Sequence, residues 1–295
     1  MKHAYLIIAH NDFYILEKLL LLLDDKNNDI YIHIDKKVKD FDFNYYKNLI
    51  KKSNIYFTER IDVRWASFSQ IECELLLLKE ATKNKYDYYH LLSGVDLPLT
   101  SQKKIHEFFQ NNNGKEFVHF SYINEIPERI LSRVKYYHLF VRKIRNSKIY
   151  SKIWWRLLKL EEKMKINRVK KIKKEFRYGS NWFSITHNLA NYVLENEDFI
   201  KKTFKYTSCC DEIFLQTIVY NSKYFDNLYL KQDNSYKANQ RYIDWTRGEP
   251  YTFKINDYDE LIKSDMLFAR KFSTKIDKEI VDKIYDYVRG VKWLK

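Results

Sequence analysis

Between Tyr86 and Leu99 the chain reads YDYYHLLSGVDLPL, and this stretch restricts the possible folds more than any other. Tyr88–Leu92 is an unbroken aromatic and aliphatic run, the pattern of a strand buried on both faces. The run stops at Ser93-Gly94-Val95-Asp96-Leu97-Pro98. Gly94 permits a tight turn and close backbone approach. Pro98 lacks an N–H and biases Leu97 toward extended geometry. The break leaves the Asp96 carboxylate at the carboxyl edge of a strand, the edge at which open α/β sheets hold ligands. The plainer alternative is a turn-forming Asp at an ordinary strand end.

The flanking sequence supports a sheet of this kind. Ala4–Ala9, Ile30–Asp35, Ile55–Phe57 and Phe117–Phe120 read as strands. Between them, Phe13–Leu23, Tyr45–Lys52, Ser67–Lys83 and Ser101–Gln110 read as helices, with Ile71, Leu75 and Leu78 on one face of the third. Strand and helix alternate at βα spacing, so the first 120 residues predict a mostly parallel, Rossmann-like sheet. There is no glycine-rich dinucleotide or P-loop signature, so any bound nucleotide must have its phosphates held by something else. Further on, Gly179–Thr186 and Arg241–Trp245 read as extended. His187–Leu194, Ile213–Tyr220, Asp257–Lys263 and Lys275–Val288 read as helices, the second of them opened by Asp211-Glu212.

Charge is concentrated. The chain carries +14, and Arg142–Arg177 alone holds fifteen Lys/Arg against three Glu, a net +12. Inside it, Ile153, Trp154, Trp155, Leu157, Leu158 and Leu160 interleave with Lys152, Arg156 and Lys159. Three readings stand: a basic amphipathic helix on anionic lipid, a solvated helical pair, or a nucleic-acid stripe. Indole pairs suit a lipid interface, and no nucleic-acid module is visible. Cys73, Cys209 and Cys210 form no disulfide framework and no zinc spacing, which points to a reducing compartment. No signal peptide opens the chain, and Phe13–Leu23, interrupted by Glu17 and Lys18, is too short to span a bilayer. The expectation is a cytoplasmic protein able to sit peripherally on the inner membrane face.

Four paired stretches together resemble one family. They are YLIIAH with IHIDKK, VRWASFSQIE with HLLSGVDLPL, GSNWFSIT with CDEIFLQTIV, and RYIDW with LFARKF. In this order and spacing they resemble the core-2/I-branching β-1,6-N-acetylglucosaminyltransferases, glycosyltransferase family 14, which includes peptide O-xylosyltransferases. The resemblance runs from Ala4 to Phe272 and leaves out the basic segment. It implies a GT-A type α/β fold, a UDP-sugar donor, a saccharide acceptor and inverting transfer. It also implies no cofactor, since the family's animal members need no divalent metal. Here SGVD stands where a metal-dependent GT-A enzyme carries Asp-x-Asp, and it offers only one carboxylate. Asp40-Phe-Asp42 and Asp257-Tyr-Asp259 do not follow the central strand and read as solvated turns. One catalytic domain over 1–295 is expected, with a nucleotide-sugar half at 1–125, a basic helical insert at 140–178 and an acceptor half at 179–295.

Residue by residue, Glu212 matches the family's base. A carboxylate in hydrogen-bond reach takes the acceptor proton as the new bond forms. Without a metal, fixed cations must meet the charge on the diphosphate. Lys271 matches the phosphate-binding lysine of LFARKF, with Arg270 pointing elsewhere if the segment is extended. The family's arginine falls near Gly248–Thr252, where this sequence has none, so Arg247 or Arg241 is the substitute. His10 and Asp35 match positions near uridine, Asp96 lies where sugar hydroxyls arrive, and Trp245 matches an acceptor-site tryptophan. The transferred sugar expected by default is N-acetylglucosamine, in capsule or exopolysaccharide synthesis. Two other classes stay open: a basic nucleic-acid-binding protein, indifferent to Glu212, and a silent nucleotide-sugar-binding module.

Overall fold

The computed structural model describes residues 1–145 and 147–291. Its main sheet has the order β3-β2-β1-β4-β7-β6, formed by β1 (His3–Ala9), β2 (Asn28–Ile34), β3 (Asn54–Phe57), β4 (Tyr88–Ser93), β6 (Phe117–Val118) and β7 (Phe183–Thr186). The pairings of β1 with β2 and β4, and of β2 with β3, are parallel. Only β7 runs against the rest, pairing antiparallel with both β4 and β6. A second, small sheet has the order β5-β9-β8, from β5 (Leu97–Pro98), β8 (Arg241–Ile243) and β9 (Phe268–Arg270). Leu97 pairs with Ala269, so the SGVDLPL turn is stitched to the LFARKF segment.

Helices cover both faces. They are α1 (Phe13–Leu23), α2 (Phe43–Leu49), α3 (Ser69–Thr82), α4 (Gln102–Asn111), α5 (Glu128–Lys135), α6 (Val141–Ile144) and α7 (Lys148–Lys163), then α8 (His187–Glu195), α9 (Glu197–Phe204), α10 (Phe214–Tyr220), α11 (Tyr258–Ile262) and α12 (Lys278–Arg289). The period-2 alternation of β1 divides the core. Leu6 packs with Leu75, Leu78 and Leu189 on one side, and Tyr5 and Ile7 with Leu16, Leu20 and Ile284 on the other. Both faces of β4 are buried, as its sequence predicts. Helix starts follow local chemistry: Ser101, Thr186 and Asp277 accept the N–H of Lys104, Leu189 and Ile280. The mixed α/β class, with a mostly parallel sheet between helices, is the one expected.

The segment 136–178 leaves the sheet and carries α6 and α7 across one end of the body. It is fastened at its root, where the Tyr137 N–H donates to Glu161 at 2.7 Å and Arg168 donates to the carbonyls of Val134, Tyr136 and Thr203. No described helix is long and apolar enough to cross a membrane.

Candidate active site

Glu212 lies in a 3-10 turn, Cys210–Glu212, that precedes α10 and is separate from it. The sequence reading made Asp211-Glu212 the first turn of the helix, but their side chains do not cap it. Asp211 accepts from Gln70 Nε2 of α3 at 2.7 Å, and Glu212 accepts from Arg133 Nη1 of α5 at 2.8 Å. The Tyr178 hydroxyl also hydrogen-bonds Glu212. The turn is fixed through Gly179, whose N–H donates to the Glu212 carbonyl at 2.9 Å. A Cβ on Gly179 would stand 1.9 Å from the His119 carbonyl oxygen, so only glycine lets these two backbones pass.

Burial raises the Glu212 pKa above the ordinary carboxylate value, while the Arg133 charge and the hydrogen bonds from Arg133 and Tyr178 pull it back. Behind it, burial and the neighbouring Glu212 charge lift Asp211 to about 7. Deeper still, burial raises Glu74 well above the usual range, with Asp211 adding repulsion. The outermost of the three carboxyls is therefore the one best able to ionise, because among them it is the one hydrogen-bonded by Arg133.

Arg270 is the last residue of β9. Its guanidinium covers the Trp182 ring at 4.0 Å and faces Asp96 at 3.8 Å, with Nε and Nη1 making no hydrogen bond. Burial lowers its pKa, and Asp96 and Tyr236 oppose that. Tyr236 feels the charges of both Glu212 and Arg270. Its ring stacks on His119 at 4.3 Å, its hydroxyl receives the Trp245 indole N–H, and its pKa is raised by burial first and then by the Tyr178 and Glu212 charges, with Arg270 opposing. Lys271 follows Arg270; burial and then the Arg270 charge lower its pKa. His10 is exposed at the end of β1, and its lowered pKa reflects desolvation first, with the charges of Lys37 and Arg270 adding to it and Asp35 opposing. His10, Asp96, Arg270 and Lys271 thus lie off the carboxyl ends of β1 and β4, and Tyr236, hydrogen-bonded by Trp245, feels the charges of Glu212 and Arg270.

Several of the expected site residues are held in other interactions. Arg241 is 1% exposed and donates to the carbonyls of Leu91, Phe183 and Asn239 and to Ser184 Oγ. Its guanidinium is consumed inside the fold and has no free face for a diphosphate. Arg247 is engaged by Asp244, Asp257 and Glu260, so its charge is already balanced. Asp96 is 1% exposed, takes the Ser93 N–H at 2.9 Å, and faces Arg270 at 3.8 Å. Asp35 stands at the end of β2 as expected, but its carboxylate accepts the Lys37 and Val63 N–H groups and the Lys37 ammonium, ordering the 61–63 loop. Asp257 is a buried partner of Arg247 and Lys254, not a solvated turn residue. Trp245 is 50% exposed, leaving an indole face open.

Sequence reasoning missed Arg133, Tyr178 and Tyr236, and assigned Arg270 away from the site. Arg270 and Trp182 stood inside quoted motifs and were legible there. Arg133 and Tyr236 lie in stretches with no local signature.

Known proteins give the frame for this geometry. The family profile described as Core-2/I-Branching enzyme matches residues 3–266. Xylosyltransferase 2 of Rattus norvegicus is 22% identical over 96% of this chain and 33% of its own length. Xylosyltransferase sqv-6 of Caenorhabditis briggsae is 22% identical over 87% of this chain and 33% of its own. The chain spans about one third of the length of these curated relatives. Among solved structures, mouse xyloside xylosyltransferase 1 is similar over 90% of this chain and 96% of that one, at 11% identity and a TM-score of 0.37. With the profile covering nearly the whole chain, the protein belongs to the core-2/I-branching enzyme family, glycosyltransferase family 14.

Proposed function

We propose that this protein is an inverting glycosyltransferase that moves a sugar from a UDP-sugar to a hydroxyl of a saccharide acceptor, without a divalent metal. N-acetylglucosamine is the proposed sugar, with xylose the second choice because the relatives named above are xylosyltransferases. Capsule or exopolysaccharide assembly is the proposed setting. The observation that carries the reading is a partly exposed carboxylate, Glu212, held by Arg133 and Tyr178, with Tyr236 feeling both its charge and that of Arg270, a cation with unbonded Nε and Nη1 that precedes Lys271.

In this reading Glu212 accepts the acceptor's hydroxyl proton as its oxygen attacks the anomeric carbon. The bond to the UDP oxygen breaks on the opposite face, so an α-linked donor gives a β-linked product. Lys271 and Arg270 neutralise the charge that builds on the departing diphosphate. Arg270 replaces Arg241 and Arg247 as the second cation, since Arg241 spends Nη1 and Nη2 on interior acceptors and Arg247 is paired with three carboxylates, whereas Arg270 has only the longer Asp96 contact and leaves Nε and Nη1 without a hydrogen bond. The Trp245 indole offers an apolar face for the C–H face of an acceptor sugar.

The test is UDP release from a panel of UDP-sugars in EDTA with saccharide acceptors. Wild type is expected to turn over, and Glu212→Gln to lose about 10²–10⁴-fold in kcat. Activity abolished by EDTA and restored by Mn²⁺ would overturn the metal-free mechanism. Full activity in Glu212→Gln would overturn the base.

A further inference from the structure

Of the residues in α7, only Glu161 is buried. Ile149, Ile153 and Leu160, with Met164 at the cap, follow spacings that put them on one face, and they are 70, 37, 51 and 63% exposed. Lys148, Lys152, Lys159 and Lys163 run beside that row, Arg156 falls at its edge between Ile153 and Leu160, and all five are exposed. None of these five makes an ion pair within the described residues. Other surface helices behave differently: α9 pairs Lys201 with Glu197 and α12 pairs Lys278 with Asp282. The helix cannot roll to hide its apolar row, because its inner side is pinned by Glu161 on the Tyr137 N–H and by Trp154 against His138 at 5.6 Å.

The identity of the partner follows from charge and polarity together. A second copy would bring a +12 segment against a +12 segment. A nucleic acid would satisfy the lysines and leave the aliphatic row in water. An anionic bilayer satisfies both, with phosphates for the ammonium groups and acyl chains for the row. Lysine stems reach along apolar surface while the charged heads stay at headgroup level.

We propose that α7 lies in the headgroup layer of an anionic phospholipid bilayer, with Ile149, Ile153, Leu160 and Met164 inserted and the adjoining lysines on lipid phosphates. This stands apart from the transferase reading, and either can fail without the other.

The test sediments the full chain with vesicles of phosphatidylcholine alone or with about a third phosphatidylglycerol. Binding is expected only to the anionic vesicles, falling as salt rises. Joint reversal of Lys148, Lys152, Lys159 and Lys163 to Glu is expected to weaken it at least 100-fold, on the order of fivefold per charge. Ile153→Asp with Leu160→Asp is expected to weaken it about tenfold or more even at low salt. Both variants should keep the wild-type thermal midpoint, since the changed side chains are exposed. Equal binding to neutral and anionic vesicles overturns the proposal. So does unchanged binding by the Ile153/Leu160 variant, or lysine-dependent binding to duplex DNA while vesicles stay unoccupied.

Discussion

Glu212 is a carboxylate under two opposed influences, burial that favours its acid form and Arg133 that favours its charged form. Removing the arginine leaves only the first. Arg133→Gln is therefore expected to move the acid limb of the kcat–pH profile to higher pH, with the loss of rate greatest under acidic conditions. A limb that moves to lower pH, or stays in place, would show that the ion pair does not tune the base. Arg241 poses the opposite case, a cation whose partners are all interior. Arg241→Met should cost about 3 kcal/mol or more, because the carbonyls of Leu91 and Phe183 lose their donor. Urea denaturation would read this as a lower midpoint, with UDP affinity of the folded fraction unchanged. The reverse pattern would make Arg241 a phosphate ligand after all.

At the scale of elements, the legible parts were those whose neighbours are close in sequence. Helix α1 begins and ends where its apolar run does, and β1 to β4 follow their hydrophobic patterns within two residues. Phe183–Thr186 was read as four residues longer, because Gly179 and Ser180 look extended in sequence but form a strap. Gln216 donates to the Ser180 and His119 carbonyls and Gly179 donates to Glu212, partners that no local pattern announces. Helices α5 and α9 went unread: each is a short, largely polar segment with few apolar residues, Ile130, Leu131 and Val134 in the first and Phe199, Ile200 and Phe204 in the second. The site was legible as far as its motifs reached. Its cross-links, Arg133 to Glu212 and Arg270 to Trp182 and Asp96, join residues distant in sequence and needed the fold. The strap yields its own prediction. Gly179→Ala forces a methyl group into the His119 carbonyl, and about 3 kcal/mol of stability should be lost along with kcat. A variant with wild-type midpoint and rate would mean that the two backbones separate freely.

Across the whole molecule, charge is sorted by place. The cations of the candidate site are few and partly desolvated, whereas those of 142–177 are many and mostly exposed. The two sets answer to different reagents. Raising monovalent salt should release the protein from anionic vesicles long before it impairs donor turnover, because a screened surface charge weakens more than a buried one. Coincident loss of both would mean one surface serves both ends. The fastening of the basic segment has a practical corollary for anyone wishing to dissect it. Arg168, deep in that segment, closes the carbonyl end of α5, the short helix that also delivers Arg133 to Glu212. Cutting out 137–177 wholesale would remove that clasp and leave the proton acceptor's companion on a fraying stub. Point changes on the outer face of α7 are the cleaner scalpel.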